Sequence, residues 1–246
     1  DNKACLVGSE MCIRDSTMTV LGRTALTAVI VTVVAFLLGY PYAYLMTRVG
    51  PRLRGVLLVI VLIPFWTSVM ARNYAWIVLL QRGGPVQSAF EFFGVTNVTF
   101  QGSVVGVTIA MSQVLLPFMV LPLFSSLGAI DRKLLLAARG LGSSPLVAFW
   151  KVYWPLSRGG VVSGLILVFT LSLGFYVTPA LLGSPQQSLI AQLLAQRTTQ
   201  LLDFAGAGAL GILVLVITLT LVAWANRFGG TISALGVAST SQTKDQ

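Results

Sequence analysis

Histidine is missing altogether from the 246-residue sequence, and there are only seven acidic residues and two cysteines. Each shortage removes a class of chemistry. With no His, and with Cys5 and Cys12 both near the beginning of the chain, neither a Cys/His metal set nor a Cys–His nucleophile pair can be assembled. The acids Asp1, Glu10, Asp15, Glu91, Asp131, Asp203 and Asp245 lie outside the long apolar runs or at their ends. An intramembrane proton relay needs an ionisable acid or His within a span, so a proton-coupled carrier is disfavoured. An intramembrane hydrolase is disfavoured too, for want of a His or paired-acid constellation. A phosphate-cradling G-x-x-x-x-G-K-[ST] loop is also absent, so the chain has no such means of binding ATP.

What the sequence has is apolar length. Hydrophobic residues make up 56% and charged ones 9%, a composition suited to a bilayer rather than to water. The net charge of +9 comes from basic residues in short loops, not from a basic face interleaved with aromatics, which argues against nucleic acid. Five apolar runs, Leu26–Met46, Gly55–Leu80, Val104–Gly128, Val161–Leu182 and Ala207–Ala225, each reach the roughly 20 residues needed to cross about 30 Å of hydrocarbon. A segment that must satisfy its backbone in lipid by itself is predicted to be helical, so the fold class is an all-α membrane protein with about five transmembrane helices.

The loops set the orientation. Alternating crossings put Arg48, Arg52, Arg54, Arg132, Lys133, Arg139, Lys151, Arg158, Arg227 and Lys244 on one side, ten basic residues against six elsewhere. By the positive-inside rule that side is cytoplasmic, and residues 82–103 and 183–206 face outward. Residues 1–20 have no apolar run, no signal peptide and no initiating Met, and are expected to be an atypical external or artefactual segment. Residues 21–228 are expected to form the transmembrane domain, with a cytoplasmic loop over 131–158, and 229–246 a cytoplasmic tail. A chain that starts outside without an export signal is expected to have lost its first helix.

The stretch "LLLAARGLGSSPLVAFWKVYWPLSRGG" at 134–160 is far longer than a turn requires. Asp131–Leu141 is helix-compatible, and Gly140 and Gly142 break it. Ser144-Pro145 has the signature of a second helix, Ser as N-cap and Pro at the first helical position. Leu146, Phe149, Trp150 and Tyr153 share one face, and Pro155 is expected to end the run. Two short helices at a sharp angle are predicted. By spacing alone, an interfacial amphipathic helix with Trp150, Tyr153 and Trp154 at headgroup level remains an equal reading.

A resemblance separates the two. Ala137-Ala138, three residues, Gly142, nine residues, Val152, one residue and Trp154-Pro155 resemble the "EAA" loop of ABC importer permeases, E-A-A-x3-G-x9-I-x-L-P. Four positions match outright over 19 residues, Val152 is conservative, Trp154 stands where Leu is usual and Leu136 where Glu is usual. "LLGYPYAYLMTR" (37–48), "LIPFWTSVMARNYAWIVLLQRGG" (62–84) and "LGFYVTPALLGSPQQSLIAQLL" (173–194) are similar to the spermidine/putrescine-type permease subunits of that superfamily.

The resemblance implies the type I ABC importer permease fold. The family has six helices, of which the five here correspond to the second through sixth. It implies a multi-pass protein of the bacterial inner membrane and a cytoplasmic coupling helix in which Ala137, Ala138, Gly142, Ser144, Pro145, Val152 and Pro155 dock onto an ATPase. The implied partners are two ATP-binding cassette subunits, a second permease and an external solute-binding protein, with membrane lipid and without nucleic acid. ATP and Mg are bound by the ATPase, no cofactor by this chain, and the chain is a transport subunit rather than an enzyme. The implied substrate is a polyamine, with another small amine, a compatible solute or an organic ion as alternatives inside the family and a secondary transporter or channel outside it.

A polyamine alternates cations with methylenes and suits aromatic faces. Phe65, Trp66, Tyr74, Trp76, Phe175 and Tyr176 are therefore candidate path residues, against the alternative of an interfacial aromatic belt. Pro179 joins them, because Pro64, Pro117, Pro122 and Pro179 interrupt spans and broken helices line transport paths. Arg72 lies near the second span and has two readings: it faces the path, or it snorkels to the outer surface.

Overall fold

The computed structural model describes residues 2–92, 100–131, 134, 140, 143–184, 188–200 and 202–229. Its side chains are described from residue 18 onward, save 89, 90, 92, 145, 146, 221 and 224–229. Every regular element among the described residues is helical: α1 Asn2–Arg48, α2 Pro51–Trp66, α3 Val69–Leu80, α4 Pro85–Phe92, α5 Val104–Gly128, α6 Pro145–Ala148, a π-helical turn Phe149–Tyr153, α7 Trp154–Leu173, α8 Val177–Leu182, α9 Ile190–Thr199 and α10 Phe204–Gly229. Met18–Arg48, Val104–Gly128 and Phe149–Leu173 are each long and apolar enough to cross a membrane; α2 and α3 pass that test as a bent pair, and Phe204–Thr220 is a shorter apolar helix. The five apolar runs of the sequence map onto these elements in order.

Two of the runs are not single straight helices. The second bends by 98° between α2 and α3. Pro64 removes a ladder donor there, the Thr67 hydroxyl donates back to the Pro64 carbonyl at 3.1 Å, and Ser68 is extended (φ −57°, ψ 133°) before α3 begins. The fourth stops at Leu173 and resumes at Val177, because a continuous helix would drive the Pro179 ring into the carbonyl of Phe175. At the third position of α8 the missing N–H of Pro179 belongs to a first turn where such donors lack helical partners anyway.

Pro155, in contrast, does not end its run. The backbone is helical from Pro145 to Leu173, and the Trp154 N–H bonds five residues back to the Phe149 carbonyl. That π-type widening immediately before Pro155 opens the turn into which its ring would otherwise collide. The two short helices predicted at a sharp angle are therefore corrected over 145–173, where one helical run leads straight into the span.

The chain divides into two compact units, Asp1–Ala35 with Leu62–Leu115 and Phe169–Val214, and Phe36–Val61 with Leu116–Val168 and Leu215–Gln246. In the second unit Met46, Met119, Val120, Leu123 and Leu127 are buried, and among its described residues Ser157 is the one buried polar side chain. The close packing there depends on glycine. A Cβ at Gly39 would lie 2.9 Å from Met119 Cγ, one at Gly164 2.9 Å from Met119 Sδ, and one at Gly160 2.9 Å from the Pro122 carbonyl oxygen. Gly160 and Gly164 are one turn apart on α7, the small-xxx-small spacing that lets transmembrane backbones approach. The first unit differs: Thr24, Thr27, Thr32, Asn73, Thr108, Ser112, Ser172 and Thr178 are all buried in it.

Gly160→Leu is expected to force α7 away from α5 and to destabilise the fold by roughly 1–3 kcal/mol, the range for overpacking. Gly159→Leu, one residue away where a Cβ meets nothing within 4 Å, is the control. Detergent-extracted thermal unfolding of the two variants should separate them; equal midpoints would refute the packing role.

Candidate functional site

The motif-bearing segment lies in the second unit. Ala137, Ala138 and Gly142 lie outside the described residues. Ser144 caps the helix that follows: its hydroxyl accepts the Val147 N–H at 3.4 Å, and its carbonyl accepts the Ala148 N–H at 2.9 Å. Pro145 is the first residue of α6, Val152 is half-buried within the π turn, and Pro155 is exposed.

The other face of this segment is clamped to α1 by aromatic rings. Phe36, Tyr40 and Tyr44 recur every fourth residue and form one stripe. Tyr44 meets Phe149 and Tyr153 edge-on at 5.8 and 5.3 Å between centroids; Tyr40 meets Phe149 at 6.3 Å and Trp154 at 5.5 Å; Phe36 meets Trp154 at 6.3 Å. Phe149 stacks on Tyr153 at 5.7 Å. Hydroxyl contacts Tyr40–Ser157 at 3.4 Å and Thr47–Tyr153 at 3.3 Å tie the same elements, and Arg48 bonds the Tyr44 hydroxyl. Offset and edge-on ring pairs of this kind contribute about 0.5–1.5 kcal/mol each beyond burial. Residues 149–154 are thus held against α1 by rings and hydroxyls and continue without a helical break into α7. The i+4 recurrence of Phe36, Tyr40 and Tyr44 was the available sequence signal for this clamp, and it went unread because nothing local reveals the stripe's partner.

The path candidates all belong to the first unit, which contains both breaks. Trp66, at the end of α2, is 83% exposed and Tyr74 on α3 is 62% exposed; Phe65 and Tyr176 also face outward. Trp76 turns inward, its indole N–H donating to Gln113 Oε1 of α5 at 3.3 Å, and Pro179 is buried where α8 packs on α3. Phe175 is half-buried in the turn before α8. Exposure therefore separates Phe65, Trp66, Tyr74 and Tyr176 from Trp76 and Pro179, which pack within the unit. Arg72 bonds back to Thr67, with Nη2 3.0 Å from Oγ1 and 3.1 Å from the carbonyl oxygen.

Four hydroxyls missed in the sequence stand out. Thr108, Ser112, Ser172 and Thr178 are buried with no protein partner. Thr24, Thr27 and Thr32 in the same unit each bond the carbonyl four residues back, at 2.7–2.9 Å. Thr108 and Ser112 share a face of α5, while Ser172 and Thr178 flank the α7–α8 break. Among the described residues no group of three or more His, Cys, Asp or Glu converges as a metal site would require.

Comparison with known proteins follows this geometry. Residues 33–229 match the family described as "Binding-protein-dependent transport system inner membrane component". The chain is 32% identical over 197 residues to the spermidine/putrescine transport system permease protein PotB of Haemophilus influenzae, covering 78% of this chain and 69% of that one. To PotB of Escherichia coli it is 31% identical over 201 residues, 80% and 73% respectively. A bacterial alginate ABC transporter solved with its alginate pentasaccharide-bound periplasmic protein superposes with a TM-score of 0.65 at 18% identity, over 87% of this chain and 80% of that one, a likeness of fold.

An unpartnered buried hydroxyl costs about 1–3 kcal/mol, so Ser112→Ala and Thr178→Val are each expected to raise the thermal stability of the purified protein by roughly 1 kcal/mol. Loss of stability in both would show that these hydroxyls are satisfied.

Proposed function

Because the chain belongs to the family of binding-protein-dependent transport system inner membrane components, we propose that it is one permease subunit of an ATP-driven importer whose cargo is a polyamine such as spermidine or putrescine. The carrying observation is the uninterrupted helical run from the Ser144 cap through the π turn into α7, clamped to α1 by rings. A segment that met only lipid headgroups would need no such fixed bearing. A segment that receives thrust from a nucleotide-binding subunit does need one.

The ATPase is a separate pair of subunits, bound by Ser144, Pro145, Val152, Pro155 and the preceding Ala137, Ala138 and Gly142. That face and the C-terminus are cytoplasmic, in line with the ten basic residues on their side. A second permease supplies the other half of the path, and an external solute-binding protein delivers cargo. Polyamine cargo is the function named for the relatives from Haemophilus influenzae and Escherichia coli. It also suits the exposed rings of Trp66, Tyr74 and Tyr176, whose π faces attract ammonium groups while their edges accept methylenes.

Reconstitution of this chain with its second permease, ATPase and binding protein in proteoliposomes is expected to give ATP-dependent uptake of labelled spermidine. No uptake by a complex that hydrolyses ATP would remove the polyamine assignment. Trp66→Leu, Tyr74→Leu and Tyr176→Leu keep bulk and lipid compatibility but lose the quadrupole or the phenol. A contact of about 0.5–2 kcal/mol at each path position corresponds to a drop of roughly 2- to 30-fold in uptake, with assembly intact. Unchanged uptake in all three would count against an aromatic path.

A further inference from the structure

Arg72 is a charge in the middle of a broken span, and its surroundings are unusually specific. Its Nη2 donates to Thr67 Oγ1 at 3.0 Å and to the Thr67 carbonyl at 3.1 Å, and its Nε lies 3.3 Å from the same hydroxyl oxygen. Thr67 Oγ1 in turn donates to the Pro64 carbonyl at 3.1 Å. The hydroxyl is thereby fully used, its one proton given to Pro64 and its two lone pairs taken by Arg72. The direction of charge is also right for one helix and wrong for the other. Arg72 is the fourth residue of α3, where the helix dipole disfavours a cation, but it lies against the C-terminal end of α2, where unpaired carbonyls favour one.

We propose that Arg72 is a positioning residue, the clasp that holds the 98° break between α2 and α3 and so aims Trp66 and Tyr74, which sit on either side of it. Proline alone does not specify the bend. Pro41, Pro117 and Pro122 lie inside α1 and α5, helices that continue through them. What distinguishes Pro64 is that its carbonyl and that of Thr67, three residues on, are both capped by side chains, and the cap of Thr67 comes from the next helix. The guanidinium meets both acceptors of Thr67 at once, Nη2 bonding the carbonyl and the hydroxyl and Nε the hydroxyl again. Its charge is directed at the α2 terminus, which explains how a cation is kept in a protein proposed to pass cations.

The test uses the assembled transporter in lipid nanodiscs and proteoliposomes. Spin labels at exposed Val56 on α2 and Val78 on α3 report the bend directly, without reference to cargo. Arg72→Met and Thr67→Val are each expected to lengthen and broaden the label separation, and Thr67→Ser, which keeps the hydroxyl, to leave it as in the parent. Spermidine uptake should fall about tenfold in either disrupting variant, the scale set by losing charge-assisted hydrogen bonds. The double variant should be no worse than the single ones, since each breaks the same unit. An unchanged separation in both single variants overturns the clasp. So does a normal uptake rate in Thr67→Val beside a loss in Arg72→Met, which would place Arg72 on the cargo or on another partner. The transport arm rests on the proposed polyamine path, while the label arm does not: absence of spermidine uptake in the parent complex would strike the path alone.

Discussion

In hydrocarbon no water can take up a carbonyl that a helix releases, and that constraint governs where this chain is allowed to be irregular. At the α2–α3 break the departures from the ladder are met by side chains. The Pro64 carbonyl takes the Thr67 hydroxyl, the Thr67 carbonyl takes Arg72, and the Val69 carbonyl beyond the break takes Asn73 Nδ2 at 2.9 Å. Near the connection from α1 to α2, Tyr42 donates to the Leu57 carbonyl at 2.7 Å and Arg54 to the Met46 carbonyl at 3.2 Å. Polar residues are scarce in this sequence, and much of their use is to make broken backbone tolerable in lipid. The bends exist where such residues are at hand.

The two units meet this constraint by opposite means. In the second, glycines bring α7 onto α5 at backbone distance around Met119, the aromatic stripe of α1 receives 149–154, and Ser157 is the buried polar side chain among its described residues. Dense apolar packing resists graded deformation, so a push at one end arrives at the other. In the first unit the spans are interrupted, eight buried side chains are polar and four hydroxyls lack partners.

Apolar run length was enough to place the spanning elements, because the need for internal hydrogen bonding leaves helices as the answer. Ser144-Pro145 likewise identified its helix start, since capping depends on residues within three positions of one another. Of the four prolines read as interrupting spans, Pro64 and Pro179 stand at breaks, while Pro117 and Pro122 lie within the continuous α5. Pro64 and Pro117 look alike in sequence, and what separates them is whether the released carbonyls find caps in a neighbouring element. Pro155 differs from the expectation for a related reason: a proline ends a helix only if the turn before it keeps its ordinary width, and the π turn there, with Phe149, Tyr153 and Trp154 packed on the rings of α1, is wider. Among the path candidates, residue type could not tell Trp76, committed to Gln113, from exposed Trp66.

The unpartnered hydroxyls give the arrangement an energetic direction. A buried hydroxyl left without a partner costs about 1–3 kcal/mol, which makes Thr108, Ser112, Ser172 and Thr178 the polar groups of this unit with most to gain from a new partner. Any movement of α8 against α5 that lets these groups find one another, or find water, recovers part of that cost. The Arg72–Thr67 contact acts in the opposite sense, since straightening the α2–α3 break would draw the guanidinium away from its acceptors on Thr67. Because α3 packs directly on α8, the α2–α3 break and Thr178 adjoin the same contact.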